Sequence, residues 1–322
     1  MAGPSQTANP EFSLVVSCYF EERTIEEFHR RALAALEATG RSFEIILVND
    51  GSADGTWNKL EAIFERDPRV RAVLDLFANA GQQAAVTAGL QEARGDAIIL
   101  LDSDLQLAPE ELPRLVEVYD RGYDLVSGYR ENRKDSLFRV LPSKLANIIM
   151  RRASRSTLRD FGCTFKIYNA RLLRAFQFGA HHVFSNVDVI SRITRYTETP
   201  VTHFPRPHGK SGWTFRKLWT YNMDNLVKLS QTPFQWLALA CILASLVFFL
   251  RIGAGFFSGF GILRQVTPGL LLNVQVAAVL LLLAVLALIG EFTIRSFLSL
   301  RKTPAYIVRA RRARDEAPAA RP

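Results

Sequence analysis

Between Phe12 and about Gly128 the chain alternates short apolar runs with stretches whose apolar positions recur at helical spacing. The runs Phe12–Cys18 (FSLVVSC), Phe43–Val48 (FEIILV), Val70–Leu76, Ala97–Leu101 (AIILL) and Tyr123–Ser127 predict strands. The stretches between them, Thr24–Ala38, Asp54–Arg66, Gln82–Ala93 and Pro109–Arg121, predict helices, the last with Pro in its first turn. Strands alternating with helices of about 10–15 residues imply βαβ units, hence an α/β domain with a mostly parallel sheet and helices on both faces. Ligands of such sheets bind at the carboxyl ends of the strands, so candidate chemistry is sought just after each apolar run.

Residues 129–232 are more basic and less regular, punctuated by Gly162, Gly179, Gly209 and Gly212. Ser136–Arg152 reads as an amphipathic helix carrying several Arg and Lys, and Trp213–Leu229 as a second, rich in aromatics and followed by Pro233. A basic helix with Trp and Phe on its apolar side suits the lipid interface, although packing against the soluble domain gives the same pattern. Two apolar stretches follow, Phe234–Phe257 with the single charge Arg251 and Gly269–Gly290 with none. Each exceeds the roughly 20 residues that cross a hydrocarbon core, and the short linker Ser258–Pro268 makes the pair a transmembrane hairpin. The expected organisation is a frayed tail over 1–11, a cytosolic α/β domain over 12–212, and a juxtamembrane helix over 213–232. A two-helix hairpin over 233–295 and a basic tail over 296–322 complete it.

Charge changes this picture only in where it lies. Of the net +9, residues 233–322 contribute +7, from 10 basic and 3 acidic residues. Basic residues beside apolar spans point to the cytoplasmic face of a membrane rather than to nucleic acid, and place both termini in the cytosol. The apolar fraction of 48% excludes a disordered chain. The three cysteines, Cys18, Cys163 and Cys241, have no metal or disulfide spacing. The N-terminus has no charged n-region or apolar h-region, so it is not read as a signal peptide.

After the fourth strand comes Leu101-Asp102-Ser103-Asp104-Leu105-Gln106. Carboxylates at i and i+2 of extended backbone project to one side. With a nucleotide diphosphate, Asp102 and Asp104 suit one Mg²⁺ or Mn²⁺, to which Gln106 could add a carbonyl oxygen. A surface turn gives the same D-x-D pair. After the second strand, Asn49-Asp50-Gly51-Ser52-Ala53-Asp54 offers Asp50 to a base or ribose, while Ser52 or Asp54 could equally cap the next helix. Asn79-Ala80-Gly81-Gln82-Gln83 opens a helix, and is an anion site or a plain turn. Tyr129–Lys134 and Arg206–Trp213 place Arg and Lys for phosphates, or are solvated charge runs. No G-x-S-x-G, P-loop, G-x-G-x-x-G or HExxH occurs, so no nucleophile or mononuclear zinc signature is present.

Taken in order, these residues resemble the family 2 glycosyltransferases of GT-A fold, and among them the membrane-anchored polyprenyl-phosphate glycosyltransferases. The resemblance runs from Phe12 to about Ile307. It rests on Tyr19-x-Glu21-Glu22, Asn49-Asp50-Gly51-Ser52-x-Asp54, Asn79-x-Gly81-Gln82 and Asp102-Ser103-Asp104-Leu105-Gln106-x-x-Pro109-Glu110. Further along, Gly128-Tyr129-Arg130-x-x-Arg133, Asp160-Phe161-Gly162-Cys163, Arg206-x-x-Gly209-x-Ser211-x-Trp213 and Gly290-Glu291 extend it. Arg133–Arg139 and the Asp-Phe-Gly-Cys stretch look closest to the undecaprenyl-phosphate 4-deoxy-4-formamido-L-arabinose transferases; dolichyl-phosphate mannose synthases are more distant.

The resemblance implies a GT-A-type, Rossmann-like domain with amphipathic interfacial helices and a transmembrane hairpin. It implies transfer of a sugar from a nucleotide sugar, UDP-linked by preference, to undecaprenyl phosphate at the cytoplasmic face of the bacterial inner membrane. Tyr19, Glu21, Asp50, Ser52, Asn79, Gln82 and Asp102 would bind the donor, and Asp102, Asp104 and Gln106 the Mg²⁺ or Mn²⁺. Arg130, Arg133, Arg206 and Ser211 would face phosphates, and Asp160 would join Asp102 and Asp104 as a catalytic carboxylate. A homotetramer and no nucleic-acid partner are further expectations.

The chain departs from the family at Phe20, where Asn is usual, at Ala78, often Arg, and at Ala80, often aromatic. The absence of Q-x-x-R-W disfavours a processive polysaccharide synthase. A dolichol-type transferase using a GDP-sugar and an inactive nucleotide-binding membrane scaffold are the competing readings.

Overall fold

Strand β1 (Phe12–Cys18) buries Phe12, Leu14, Val16 and Cys18 in one apolar cluster and Val15 in the opposite one. A strand buried on both faces reads as a continuous apolar run, and this is the centre of the sheet. The computed structural model describes residues 9–131, 156–205 and 303–314, with scattered helical positions between 275 and 297. Beside β1 lie β2 (Phe43–Asn49), β3 (Val70–Leu76) and β4 (Ala97–Leu100), all parallel. The first four predicted strands therefore form, with ends displaced by one residue at most; the fifth, expected over Tyr123–Ser127, is shifted toward the C-terminus.

Helices α1 (Ile25–Glu37), α2 (Thr56–Arg66) and α4 (Leu112–Tyr119, after a 3₁₀ turn at Pro109–Glu111) cover the first face. Their buried positions keep helical spacing, as with Ile25, Phe28, Ala32, Ala35 and Leu36 of α1. Helix α3 (Gln82–Glu92) covers the other face and buries Ala84 through Gly89 without interruption. Small residues let it lie close on the sheet: a Cβ at Gly89 would stand 2.5 Å from Val15 Cγ1.

The remaining strands amend the expectation of a mostly parallel sheet. β5 (Leu125–Glu131) does not pair with β4. The short strand β6 (Lys166–Asn169) inserts between them, antiparallel to both, and β7 (Tyr196–Thr202) pairs parallel to β5. The sheet is mixed, in the order β7-β5-β6-β4-β1-β2-β3-β8. Its last strand, β8 (Val308–Ala313), corrects the reading of 296–322 as a basic tail, because it runs antiparallel along the edge of β3. The basic residues of β8 answer acidic ones on the domain: Arg311 pairs with Glu92 and Arg312 with Glu61. Arg314 donates to the carbonyl of Val70 and lies over the Phe64 ring.

The chain divides into two compact units, Met1–Leu229 with Pro304–Pro322, and Ser230–Thr303. In the second, the described positions between 275 and 297 are helical and expose Val279, Leu281, Leu282, Leu286, Ile289 and Phe292. No helix among the described residues is long and apolar enough to cross a membrane. The span expected over 234–257 and the amphipathic helices expected over 136–152 and 213–229 lie outside the described residues, as does most of the span over 269–290.

Candidate active site

The candidate residues gather at the carboxyl ends of β1, β2, β3 and β4. The loop after β2 is folded by its own polar groups. Asn49 Oδ1 accepts from the Ser52 amide at 3.3 Å, Asp54 Oδ1 accepts from the amide and hydroxyl of Thr56, and Ser52 Oγ accepts from the Phe20 amide at 3.0 Å. Asp54 thus serves the start of α2, whereas Ser52 ties the loop to the end of β1. Gly51 has φ +63°, and a Cβ there would meet the carbonyl carbon of Ala78 at 2.4 Å. Only glycine lets the two loops approach this closely. Glu21, buried, takes the Thr24 hydroxyl on its carboxylate and donates its amide to Thr56 Oγ1, so it braces α1 against α2.

Asp50 is only 3% exposed, and its carboxylate gathers the turn that opens α3. It accepts from the Ala80 amide at 2.7 Å, the Gly81 amide at 3.0 Å and Asn79 Nδ2 at 2.9 Å. Burial pushes its carboxyl up to about 6, against the two backbone amides that pull it down. A folded value above the ordinary one means that its ionised form at neutral pH costs stability, and that this cost vanishes as pH falls.

Tyr19 and Phe20 are exposed, with ring centroids 4.6 Å apart edge to face. Phe20 holds φ +58°, a left-handed backbone that a bulky residue rarely takes. Phe20→Asn should raise unfolding stability by about 1 kcal/mol, because Asn tolerates this conformation and the ring is half exposed. Chemical denaturation of the two proteins checks this; equal or lower stability would mean that the contact with Tyr19 outweighs the strain.

The loop after β4 is pinned from several directions. Asp102 is half-buried: its Oδ1 accepts from Gln82 Nε2 at 2.5 Å and its Oδ2 from Thr164 Oγ1 at 2.7 Å. Ser103 Oγ donates to the Ser17 carbonyl, and Asp104, buried, accepts from the Gln106 amide at 3.0 Å. Leu105 between them has φ +58°, and the Phe204 amide donates to the Gln106 carbonyl at 2.8 Å. A left-handed leucine fixed by flanking hydrogen bonds is backbone strain held in this loop.

Asp160 and Arg130 form one unit. Arg130 Nε and Nη2 reach the two Asp160 oxygens at 2.7 and 2.9 Å, with side chains 16% and 9% exposed. The Arg130 amide at 3.4 Å and the Gly162 amide at 3.1 Å also donate to Asp160, and Glu198 on β7 accepts from the Arg159 and Asp160 amides. Beneath them the fully buried Lys166 donates to the Cys163 carbonyl; burial holds its ammonium below the usual lysine range. Burial pushes the Cys163 thiol up to about 11 and raises that of Cys18, so neither is an activated nucleophile.

Of the residues expected to act, Asp50, Ser52, Asn79 and Gln82 thus join Asp102 and Asp104 in a connected arrangement, with Tyr19 beside them. Arg133, Arg206 and Ser211 lie outside the described residues. Thr164, Glu198, Asp75 and Arg309 were missed. Only Thr164, next to the Asp160–Cys163 stretch, carried a signal in its position.

Residues 13–178 match the family model described as Glycosyl transferase family 2. Among characterised relatives, an undecaprenyl-phosphate 4-deoxy-4-formamido-L-arabinose transferase of Pseudomonas fluorescens is 33% identical over 324 residues, covering 95% of this chain and 92% of its own. The enzyme of the same name from Pseudomonas paraeruginosa is 38% identical over 229 residues, 70% of this chain and 67% of its own. Among solved structures, glucosyl-3-phosphoglycerate synthase from Mycobacterium tuberculosis, in complex with Mn²⁺ and uridine-diphosphate-glucose, aligns with a TM-score of 0.50 at 18% identity. The alignment covers 68% of this chain and 78% of that one. The likeness is one of fold.

Proposed function

The chain belongs to glycosyl transferase family 2, and from that premise we propose that it moves a sugar from a UDP-linked donor to undecaprenyl phosphate. The reaction takes place at the cytoplasmic face of a bacterial inner membrane. The near full-length similarity to transferases that carry undecaprenyl phosphate in their name supports the acceptor. The apolar stretches 234–257 and 269–290, flanked by basic residues, support two spans with both termini in the cytosol. A homotetramer is the assembly that the family resemblance suggests.

The observation that carries the reading is Asp102, half-exposed at the carboxyl end of β4 and oriented on both oxygens by Gln82 and Thr164. Asp102, Asp104 and Gln106 offer only hard oxygen donors. Among the described residues no group of three or more His, Cys, Asp or Glu suits a metal. Hard oxygen donors suit Mg²⁺ or Mn²⁺ shared with phosphate oxygens of the donor. Bound there, the ion would neutralise charge developing on the departing nucleoside diphosphate.

The chain's own residues supply the rest. The Asp50 loop and the 79–81 turn, locked together, form the wall for the nucleotide. The acceptor phosphate is anionic at neutral pH and needs no strong base, which agrees with the buried, protonated thiols and the lack of a nucleophile signature. Arg130, held by Asp160, presents a fixed positive charge to phosphate. Attack of the phosphate oxygen on the anomeric carbon breaks the bond to the nucleoside diphosphate and inverts configuration.

The test is nucleotide release by the detergent-purified chain with undecaprenyl phosphate, Mg²⁺ or Mn²⁺, and a panel of UDP- and GDP-sugars. Lipid-dependent release of UDP from one donor is expected. Release of GDP, or no metal-dependent UDP binding at all, overturns the reading.

A further inference from the structure

The carboxylate of Asp75, at the end of β3, is 3% exposed and lies between two partners from distant parts of the chain. Asn49 Nδ2 donates to its Oδ1 at 2.7 Å, and Arg309 Nη1 of β8 stands 3.3 Å from its Oδ2. The same guanidinium donates through Nη2 to the Phe77 carbonyl at 2.7 Å and lies 5.3 Å over the Phe77 ring. Asn49 folds the loop that carries Asp50, and Phe77 leads into the turn that Asp50 gathers. The contacts therefore close a ring: Arg309, Asp75, Asn49, the Asp50 loop, the 79–81 turn, and Phe77 back to Arg309. The other arginines of β8 do not enter it. Arg312 pairs with Glu61 on α2, and Arg311 with Glu92 at the far end of α3.

We propose that Arg309 is a positioning residue for the nucleotide sugar, acting through Asp75 and the Phe77 carbonyl to hold the two loops of the donor wall at a fixed separation. The C-terminal strand is then part of the donor site and not only a cover for the edge of β3. This rests on the reading that the Asp50 loop takes the nucleotide. Without Arg309 the buried Asp75 charge loses its cationic partner and keeps the Asn49 hydrogen bond; the two loops stay joined through Asp50 but lose the brace that closes the ring from outside.

The test uses the full-length protein in detergent and compares Arg309→Gln with Arg312→Gln, which removes from the same strand an arginine of similar exposure whose carboxylate partner is not buried. Arg309→Gln should weaken UDP binding and raise the donor KM by about tenfold, the size expected from losing hydrogen bonds to a charged group, with kcat little changed. Arg312→Gln should leave the donor KM at the wild-type value, and Arg309→Lys should recover part of the loss. If Arg309→Gln does not fold, Arg309→Lys against Arg312→Gln carries the comparison, with an intermediate KM expected. Equal donor KM values in the Arg309 and Arg312 variants, whether both normal or both raised, would overturn the inference alone. A wild-type chain that binds no nucleotide would sink the underlying reading and this one with it.

Discussion

Asp102→Asn should lower kcat/KM for sugar transfer by about 10³-fold, the scale set by removing one preorganised electrostatic group from a reacting centre. The expectation follows from how Asp102 is held. Gln82 Nε2 and Thr164 Oγ1 each donate to one of its oxygens, so the carboxylate is aimed before any ligand arrives. Asn keeps the size and one acceptor oxygen but removes the charge, and sets an NH₂ against one of these two donors. Metal-dependent UDP binding should fall in parallel, whereas the melting temperature should hardly move, because the residue is half-exposed and its neighbours remain. Thr164→Val separates aim from charge: the carboxylate stays but loses an orienting hydroxyl, for which a loss of about 10–100-fold is expected. Both values come from lipid-dependent UDP release. An Asp102→Asn enzyme within tenfold of wild type would remove Asp102 from the reaction.

Asp102 was legible as part of a motif, and Thr164 only from its place beside the Asp160–Cys163 stretch; the same difference between local pattern and spatial context recurs across the described residues. Strands β1 to β4 were readable because burial on both faces writes itself as an unbroken apolar run. Strand β6 was not: its four residues, Lys-Ile-Tyr-Asn, include a buried lysine whose partner is a carbonyl in the same turn. Strand β8, Val-Arg-Ala-Arg-Arg-Ala, reads as a cationic tail while its charges are counted alone. It becomes a strand once Glu61, Asp75 and Glu92 are seen to be its counter-charges. The same limit applies at the site. Asp50 and the Asp102–Gln106 loop follow apolar runs, so local order finds them. Asp75 and Arg309 act across the width of β3 and β8, and only the register of those strands brings them together. The departure at Phe20 was visible as a letter, but its left-handed backbone, and hence its cost, was not.

Asp160 and Arg130 give the second large effect. The resemblance assigns them separate roles, a catalytic carboxylate and a phosphate-facing cation, yet each holds the other in a two-pronged, largely buried pair. The Asp160 carboxylate is engaged by Arg130 and by the Gly162 amide, and an acceptor phosphate that is already anionic needs no base. The two-pronged contact suits the carboxylate to fixing the guanidinium. Asp160→Ala should therefore cost about 3–5 kcal/mol of stability, the usual result of stripping one partner from a buried pair, and lower kcat with it. The double mutant Arg130→Ala/Asp160→Ala should be no slower than Arg130→Ala alone, and should recover part of the lost stability, since no unpaired charge is left behind. A base would behave differently: removing Asp160 from the Arg130→Ala background would lower kcat again and flatten the acid limb of its pH profile. Equal kcat values and an unchanged profile in that background make Asp160 the anchor of Arg130, and place the positive charge of the site on a side chain the fold has already immobilised.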